Sequence, residues 1–225
     1  MLHRIVNKLA KVFKGRELLF DSQISDIDLL VLLLRSAKAF SMGMIRLRAP
    51  VMLGNKVKIF GKHLFHCSSG VTIGDYTSID AIGYEGIFIG KSCSIGAFSL
   101  IKVSGSLTLL GKGIYLGNNV GIGDFAHIGG AGGVEIGDDT IIGANFSVHP
   151  EEHVFSDIEK PIRLQGVTHQ GIKIGRDCWI GAKVAVLDGA IIGNGCVVAA
   201  GSIVKGEFPD NVVLGGVPAR ILKER

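Results

Sequence analysis

The 225-residue chain contains no uncharged apolar run of about eighteen residues, the length a membrane-spanning helix needs. Its longest apolar run, Leu29 to Leu34 between Asp28 and Arg35, is too short, so the mean hydropathy of +0.41 points to a large interior instead. Met1 to Phe20 lack the compact apolar segment and small-residue cleavage site of a signal peptide, and a cytoplasmic location is expected. With only 5 prolines and no glycine at every third position, the chain is not collagenous. No CxxC pair occurs among Cys67, Cys93, Cys178 and Cys196, so neither a zinc site nor a disulfide framework is suggested, and buried free thiols are expected. Aromatic residues are scarce at 7%, and the basic surplus is small, which argues against a nucleic-acid partner. That surplus is local: residues 1–50 carry nine Lys/Arg against four Asp/Glu, and residues 51–225 carry fifteen against sixteen.

What the chain has in excess is glycine, 33 residues, and a period of six. Aliphatic residues recur at Ile174, Ile180, Val186, Ile192, Val198 and Val204, most followed by Gly or Ala. The same spacing runs through Ile73 and Ile79; Ile89, Ile95, Ile101 and Leu107; Leu116, Ile122 and Ile128; and Ile136, Ile142 and Val148. A period of six is neither helical nor a sustained alternation, so it predicts short strands separated by turns, each giving one aliphatic residue to an interior. Three such units close a triangular coil, and the coils stack as parallel strands about 4.8 Å apart.

The repeat is interrupted at length once, between Val148 and Ile174. An ordered, functional loop is expected there over 149–171, because its mixed composition includes Phe155, Ile158, Pro161 and Leu164. The organisation expected is a helical segment over 1–50, repeats over 51–208 and a cap over 209–225. Ile24 to Phe40 reads as one helix and residues 1–20 as a second, basic amphipathic helix broken near Gly15. Ala219 to Arg225 reads as a short terminal helix.

The segment IGRDCWIGAKVAVLDGAIIGNGCVVAAGSIV, 174–204, followed by VLGGVPARIL, 213–222, resembles the hexapeptide-repeat acyltransferases. From about 145 to 222 the chain is similar to the maltose, galactoside and polysaccharide O-acetyltransferase branch, in which a loop ending in Pro-Ile and Gln-Gly precedes a Trp-Ile-Gly coil. The resemblance spans about 71–222. It implies an all-β fold, the left-handed parallel β-helix, whose hand comes from the family, since period alone does not set one. It also implies a homotrimer that uses acetyl-CoA, requires no metal and acts on a sugar or polysaccharide hydroxyl.

The resembling enzymes use a loop histidine as general base, work suited to an imidazole whose ordinary pKa lies near neutrality. His153-Val154-Phe155-Ser156-Asp157, leading to Pro161-Ile162 and Gln165-Gly166, puts His153 in that place, while His149-Pro150 resembles the His-Pro of the sugar acetyltransferases. Both stay candidates, His153 first; His169 is expected at the surface. Glu151, Glu152 or Asp157 could orient the imidazole, and Asn145 and Gln165 are candidate acceptor contacts. For acetyl-CoA the matching positions are Trp179, Ala182, Ala200, Ser202, Lys205 and Arg220, the last two facing its phosphates. The run Val204-Lys205-Gly206 departs from the family's usual Thr-Lys.

Three other readings stand beside this one. A serine or nucleotide-sugar N-acetyltransferase differs in its acceptor alone. A γ-type carbonic anhydrase would hold zinc on His127, His149 and His153, and a non-catalytic scaffold would use the β-helix for binding alone. The basic segment 1–20, with Leu2, Ile5, Val6, Leu9, Val12 and Phe13, reads either as a peripheral contact with an anionic membrane or as a helix packed on the first coil.

Overall fold

The computed structural model describes residues 2–14 and 20–225; the expected break near Gly15 lies outside the described residues. Three parallel sheets form the sides of a prism. Among the described residues the first side holds nine strands, from Met52–Leu53 to Ala219–Glu224, and the second and third hold seven each. Each circuit crosses the first, second and third side in turn, so every strand pairs with its equivalent one coil on, as Ile73 does with Ile95. This is the left-handed parallel β-helix that the resemblance implies.

The predicted aliphatic ladders are the core: Ile174, Ile180, Val186, Ile192, Val198 and Val204 are all buried. The small residue that follows most of the inward aliphatic positions has a reason beyond the turn itself. A Cβ on Gly181 would sit 2.5 Å from the Ala200 nitrogen, and one on Gly143 would sit 2.6 Å from the Ala182 nitrogen. Coils at strand spacing leave no room there for a side chain. Leu107 breaks the predicted pattern, being 73% exposed. It lies in a second excursion that the spacing concealed, closed on itself by Ser104, whose hydroxyl donates to Ile82 O and accepts from the Gly111 N–H.

At the edge between the first and second sides, one residue per coil adopts a left-handed conformation. Tyr76, Phe98 and Phe125 do so at φ 59°, 56° and 60°, and their rings stack with centroids 5.1 and 5.2 Å apart. Bulky residues rarely tolerate this region, and ring stacking offsets part of the strain. Asn145 continues the column at φ 59°.

Helix α1 spans Leu2–Lys14 and helix α2 spans Asp26–Leu47. Ser25 caps α2, its hydroxyl accepting from the Asp28 N–H. The helix runs past the predicted end at Phe40 because Gly43 lets it lie against the chain: a Cβ there would clash with Val51 O. Lys14 anchors α1, its ammonium donating to Gly70 O and Thr72 Oγ1, both at 2.9 Å.

The C-terminal residues correct a prediction. Ala219–Glu224 is a strand, not a helix, folded back antiparallel on Val212–Gly216. It covers the open edge of the first sheet, which makes strand pairing worth more than a single helical turn. Cys93, Cys178 and Cys196 are buried free thiols and Cys67 is half-buried. Burial pushes the Cys67 and Cys178 thiols up to about 11, which leaves them unreactive at neutral pH.

Candidate active site

The long excursion leaves the edge between the second and third sides after His149 and returns at Ile172. Its two ends meet on Gly132, where a Cβ would lie 2.5 Å from Pro150 O and 3.0 Å from the Gly171 nitrogen. Asp188, only 4% exposed, holds the returning end: its carboxylate accepts from the Gln170 and Gly171 N–H groups at 2.9–3.0 Å. Replacing it leaves two backbone donors without their charged acceptor. Asp188→Ala is expected to lose about 3 kcal/mol of stability in denaturant unfolding and to speed amide exchange at Gln170 and Gly171. Unchanged exchange there would show that the loop base is held by something else.

Within the excursion, Glu152–His153 pairs antiparallel with Val167–Thr168. Gln165 ties the tip together: its carbonyl accepts from the Asp157 N–H at 3.0 Å, and its amide donates to Asp157 O and Lys160 O. The carboxamide proposed as an acceptor contact is therefore engaged inside the loop. Glu152 reaches the second side, where Lys205 donates to it at 2.8 Å. That pair is half-exposed and contributes at most about 1 kcal/mol, yet it seats the hairpin against the coils.

His153 is exposed, and its ring has no hydrogen-bond partner among the described residues. The carboxylates predicted to orient it are used elsewhere in the chain: Glu151 lies 3.0 Å from exposed His169, Glu152 holds Lys205, and Asp157 accepts from the Glu159 N–H. His149, at the end of Ser147–His149, sits beside His127 with ring centroids 5.5 Å apart. Burial, and then the neighbouring His149, hold the His127 imidazole below its ordinary pKa. His127 was absent from the catalytic reading, although its place beside an inward aliphatic residue one coil before Ser147 marked it as outward-facing. His127 and His149 are neighbours without His153, and no three metal-ligating side chains converge among the described residues.

Of the residues expected to bind acetyl-CoA, Trp179 and Arg220 lie on the first side, Ala182 and Ala200 at its edge with the second, and Lys205 at the far end of the second side. Trp179 is 58% exposed and stands between Ile141 and Val197. With Ser94, Gly121 and Gly143 it lines a shallow recess of about 360 Å³. Ala182 and Ala200 are exposed at the edge, stacked over Ala144 in successive coils. Ser202 differs from the prediction: its hydroxyl is buried, donating to Ala199 O and accepting from the Gly216 N–H, so it holds the C-terminal hairpin. Lys205 is occupied by Glu152, and Arg220 is exposed on the final strand with its guanidinium on Ala219 O. Asn145 is exposed at the edge with no side-chain partner among the described residues. The two alanines thus lie at one margin of the second side, with Trp179 beyond them on the first, and His149 lies at the second side's other margin.

Residues 171–206 match the family model for the bacterial transferase hexapeptide, six repeats. Over 126 residues the chain is 36% identical to WbbJ of Escherichia coli (strain K12), named as a candidate O-acetyl transferase of lipopolysaccharide biosynthesis, covering 52% of this chain and 64% of that protein. It is 37% identical over 92 residues to galactoside O-acetyltransferase of the same organism, covering 40% of this chain and 44% of that one. The chain spans less than two thirds of the length of these curated relatives, from 44% to 64%. A crystal structure of a mutant of AntD, an N-acyltransferase from Bacillus cereus in complex with dTDP-4-amino-4,6-dideoxyglucose and coenzyme A, shares the fold. Its TM-score is 0.53 at 22% identity, over 78% of this chain and 80% of that one.

Proposed function

We propose that this chain of hexapeptide repeats is an acetyl-CoA-dependent O-acetyltransferase of sugar or polysaccharide hydroxyls, working as a homotrimer with His153 as general base. The observation that carries this reading is the clamped hairpin: Asp188, Gly132 and the Glu152–Lys205 pair hold an exposed imidazole at a defined place beside the second side. Trp179 on the first side, and Ala182 and Ala200 at its edge with the second, lie away from the hairpin in the same chain, whereas Lys205 stands beside it. A groove between two chains would bring one chain's hairpin to the other's Trp179 face, which supports the trimer.

In the reaction, the acceptor oxygen attacks the thioester carbonyl carbon while the imidazole takes the hydroxyl proton. Backbone N–H groups at the coil edges hold the oxyanion of the tetrahedral intermediate. The C–S bond then breaks, and the imidazolium returns the proton to the departing thiolate. No acyl-enzyme is needed. In this reading Asn145 positions the acceptor, and exposed Ala182 and Ala200 let the pantetheine arm lie along the backbone. Lys205 and Arg220 serve the donor phosphates, Lys205 once its bond to Glu152 opens.

The chain's one tryptophan provides a direct test of the donor surface. Acetyl-CoA is expected to quench Trp179 emission saturably, and Trp179→Ala to raise the donor KM about tenfold with little change in kcat. Emission that ignores the donor would place acetyl-CoA elsewhere. Acceptors are distinguished by product mass with hydroxyl and amino sugars; transfer to an amine alone would favour the N-acyl reading, as AntD is named.

A second base assignment is favoured by the His127–His149 pair. The two rings lie 5.5 Å apart on the second side, and the lowered pKa of His127 keeps that imidazole neutral near pH 7. The lowered pKa also sets a sign for stability. An unfolded chain protonates His127 more readily than the folded one, so stability is complete above the ordinary imidazole pKa and falls as pH drops below it. His127→Gln is expected to flatten that fall in unfolding curves between pH 7 and 5.

A further inference from the structure

The two helices leave apolar side chains uncovered in a pattern that the coils do not explain. Along α2, Leu29, Leu33, Phe40, Gly43 and Leu47 turn inward, each buried or half-buried. A second stripe at i, i+3, i+4 and i+7 is exposed: Ile27 by 75%, Leu30 by 51%, Val31 by 49% and Leu34 by 63%. The hydrogen bonds tying α2 to the first coil begin only at Lys38, which donates to Asn55, and continue at Arg46, which donates to Val57 O. Of residues 26–35 only Leu29 is buried.

Helix α1 lies alongside in the same direction. His3 is hydrogen-bonded to Ile24 O near the start of α2, and the Phe13 ring meets Phe40 edge-on at 6.0 Å. It too bares a stripe, Ile5, Leu9 and Val12, at 45%, 52% and 78% exposure. The opposite contribution is charge: α1 contains no acidic residue, and Lys8 and Lys11 are exposed on it. Arg35 is exposed on α2, while the acids Asp26 and Asp28 are confined to its first turn, where they complement the helix dipole. Lys8, Lys11 and Arg35, part of the basic surplus of residues 1–50, are thus exposed on the same two helices as the bare stripes, whereas residues 51–225 are nearly neutral.

From this coincidence we infer that α1 and the first half of α2 form a docking surface for an anionic phospholipid membrane. The exposed aliphatic side chains enter the headgroup boundary, and the basic side chains meet the lipid phosphates. A face intended only for a second copy of the chain gains nothing from like charge repeated on each copy, which is why the lipid surface is the better occupant. The helices contact the first coils, whereas the clamped hairpin belongs to the fifth, so membrane docking leaves the acyl-transfer chemistry unobstructed. The docking surface does not depend on what reaction the loop performs.

The test is cosedimentation of the full chain with vesicles of phosphatidylcholine alone or with one third phosphatidylglycerol, at low and high salt. Light scattering of the vesicle-free protein and circular dichroism accompany it. The wild type is expected to partition onto the anionic vesicles at least tenfold more than onto the neutral ones, and to be released by salt. Leu30→Asp with Leu34→Asp is expected to lower that partition at least tenfold while leaving the strand spectrum and the molar mass unchanged. Lys8→Glu with Arg35→Glu keeps the apolar stripes and is expected to abolish the preference for anionic lipid. Equal binding by wild type and the leucine variant overturns the proposal. So does a wild type that ignores both vesicles, or a leucine variant whose main effect is a lower molar mass, which would assign the stripe to a second copy.

Discussion

His153→Ala is expected to lower kcat between a hundredfold and ten-thousandfold, with both KM values within about threefold of wild type. In the proposed mechanism the imidazole takes its proton only in the transition state, so its loss is expected in turnover instead of binding. His149→Ala serves as the matched control, because its ring lies against His127 on the second side instead of on the hairpin. Thiol release from acetyl-CoA, with the acetylated sugar confirmed by mass, checks both. If His149→Ala carries the large loss and His153→Ala does not, the base belongs to the His127–His149 pair. If both variants keep full turnover, the excursion is not the catalytic element.

Phe146→Ala is expected to produce the largest loss of stability, about 3–5 kcal/mol. The residue is fully buried in the coil that carries Asn145 and His149. Its place in the neighbouring coils is taken by Ala126 and Val184, whose strands adjoin it through the His127 N–H to Phe146 O and Ser147 N–H to Val184 O bonds. The benzyl ring therefore fills space that the small alanine leaves, and truncation creates a cavity that rigid coils cannot close. For a chain of this size the loss corresponds to a fall of roughly 6–20 °C in Tm by calorimetry. A fall under 2 °C would mean that the coils relax inward. Ala126→Leu tests the same packing from the other side and is expected to destabilise by overfilling it.

The fold was almost wholly legible because each coil repeats one instruction: an aliphatic residue, then a small one, then a turn. Ile180-Gly181 and Ile192-Gly193 carry that instruction without ambiguity, and both aliphatics are buried. Leu107 marks the limit of the pattern, since a six-residue spacing can arise inside an excursion whose closure depends on the Ser104 hydroxyl. The C-terminal strand was misread for a similar reason. Ala219 to Arg225 has acceptable helix propensity, and only the unpaired edge of Val212–Gly216, a non-local feature, selects strand.

At the site, residue types were legible and contacts were not. The loop histidines stood out by composition, but Glu151 reaching His169 and Glu152 reaching Lys205 depend on how the hairpin folds over the second side. Asp188 was missed because a single Asp before Gly189 reads as an ordinary turn, whereas its burial beneath Gln170 appears only in three dimensions. Ser202 shows the converse, a position that matches the motif while its hydroxyl points inward to Ala199 O.

The excursion also bears on how freely such a chain can change its length. Gly121 pairs with Ile141, 20 positions on, whereas Ile141 pairs with Trp179, 38 positions on, because the loop intervenes. Nearly doubling the closed segment raises the entropic penalty of that one pairing by only about 0.6 kcal/mol. The strand pairings on either side keep the same register through the interruption, Val134 with Ile172 and Ser147 with Ala185. Chains of this architecture can therefore lengthen, shorten or exchange the segment at this edge almost without thermodynamic consequence, which makes the coil stack a stable host for loops of different length and composition.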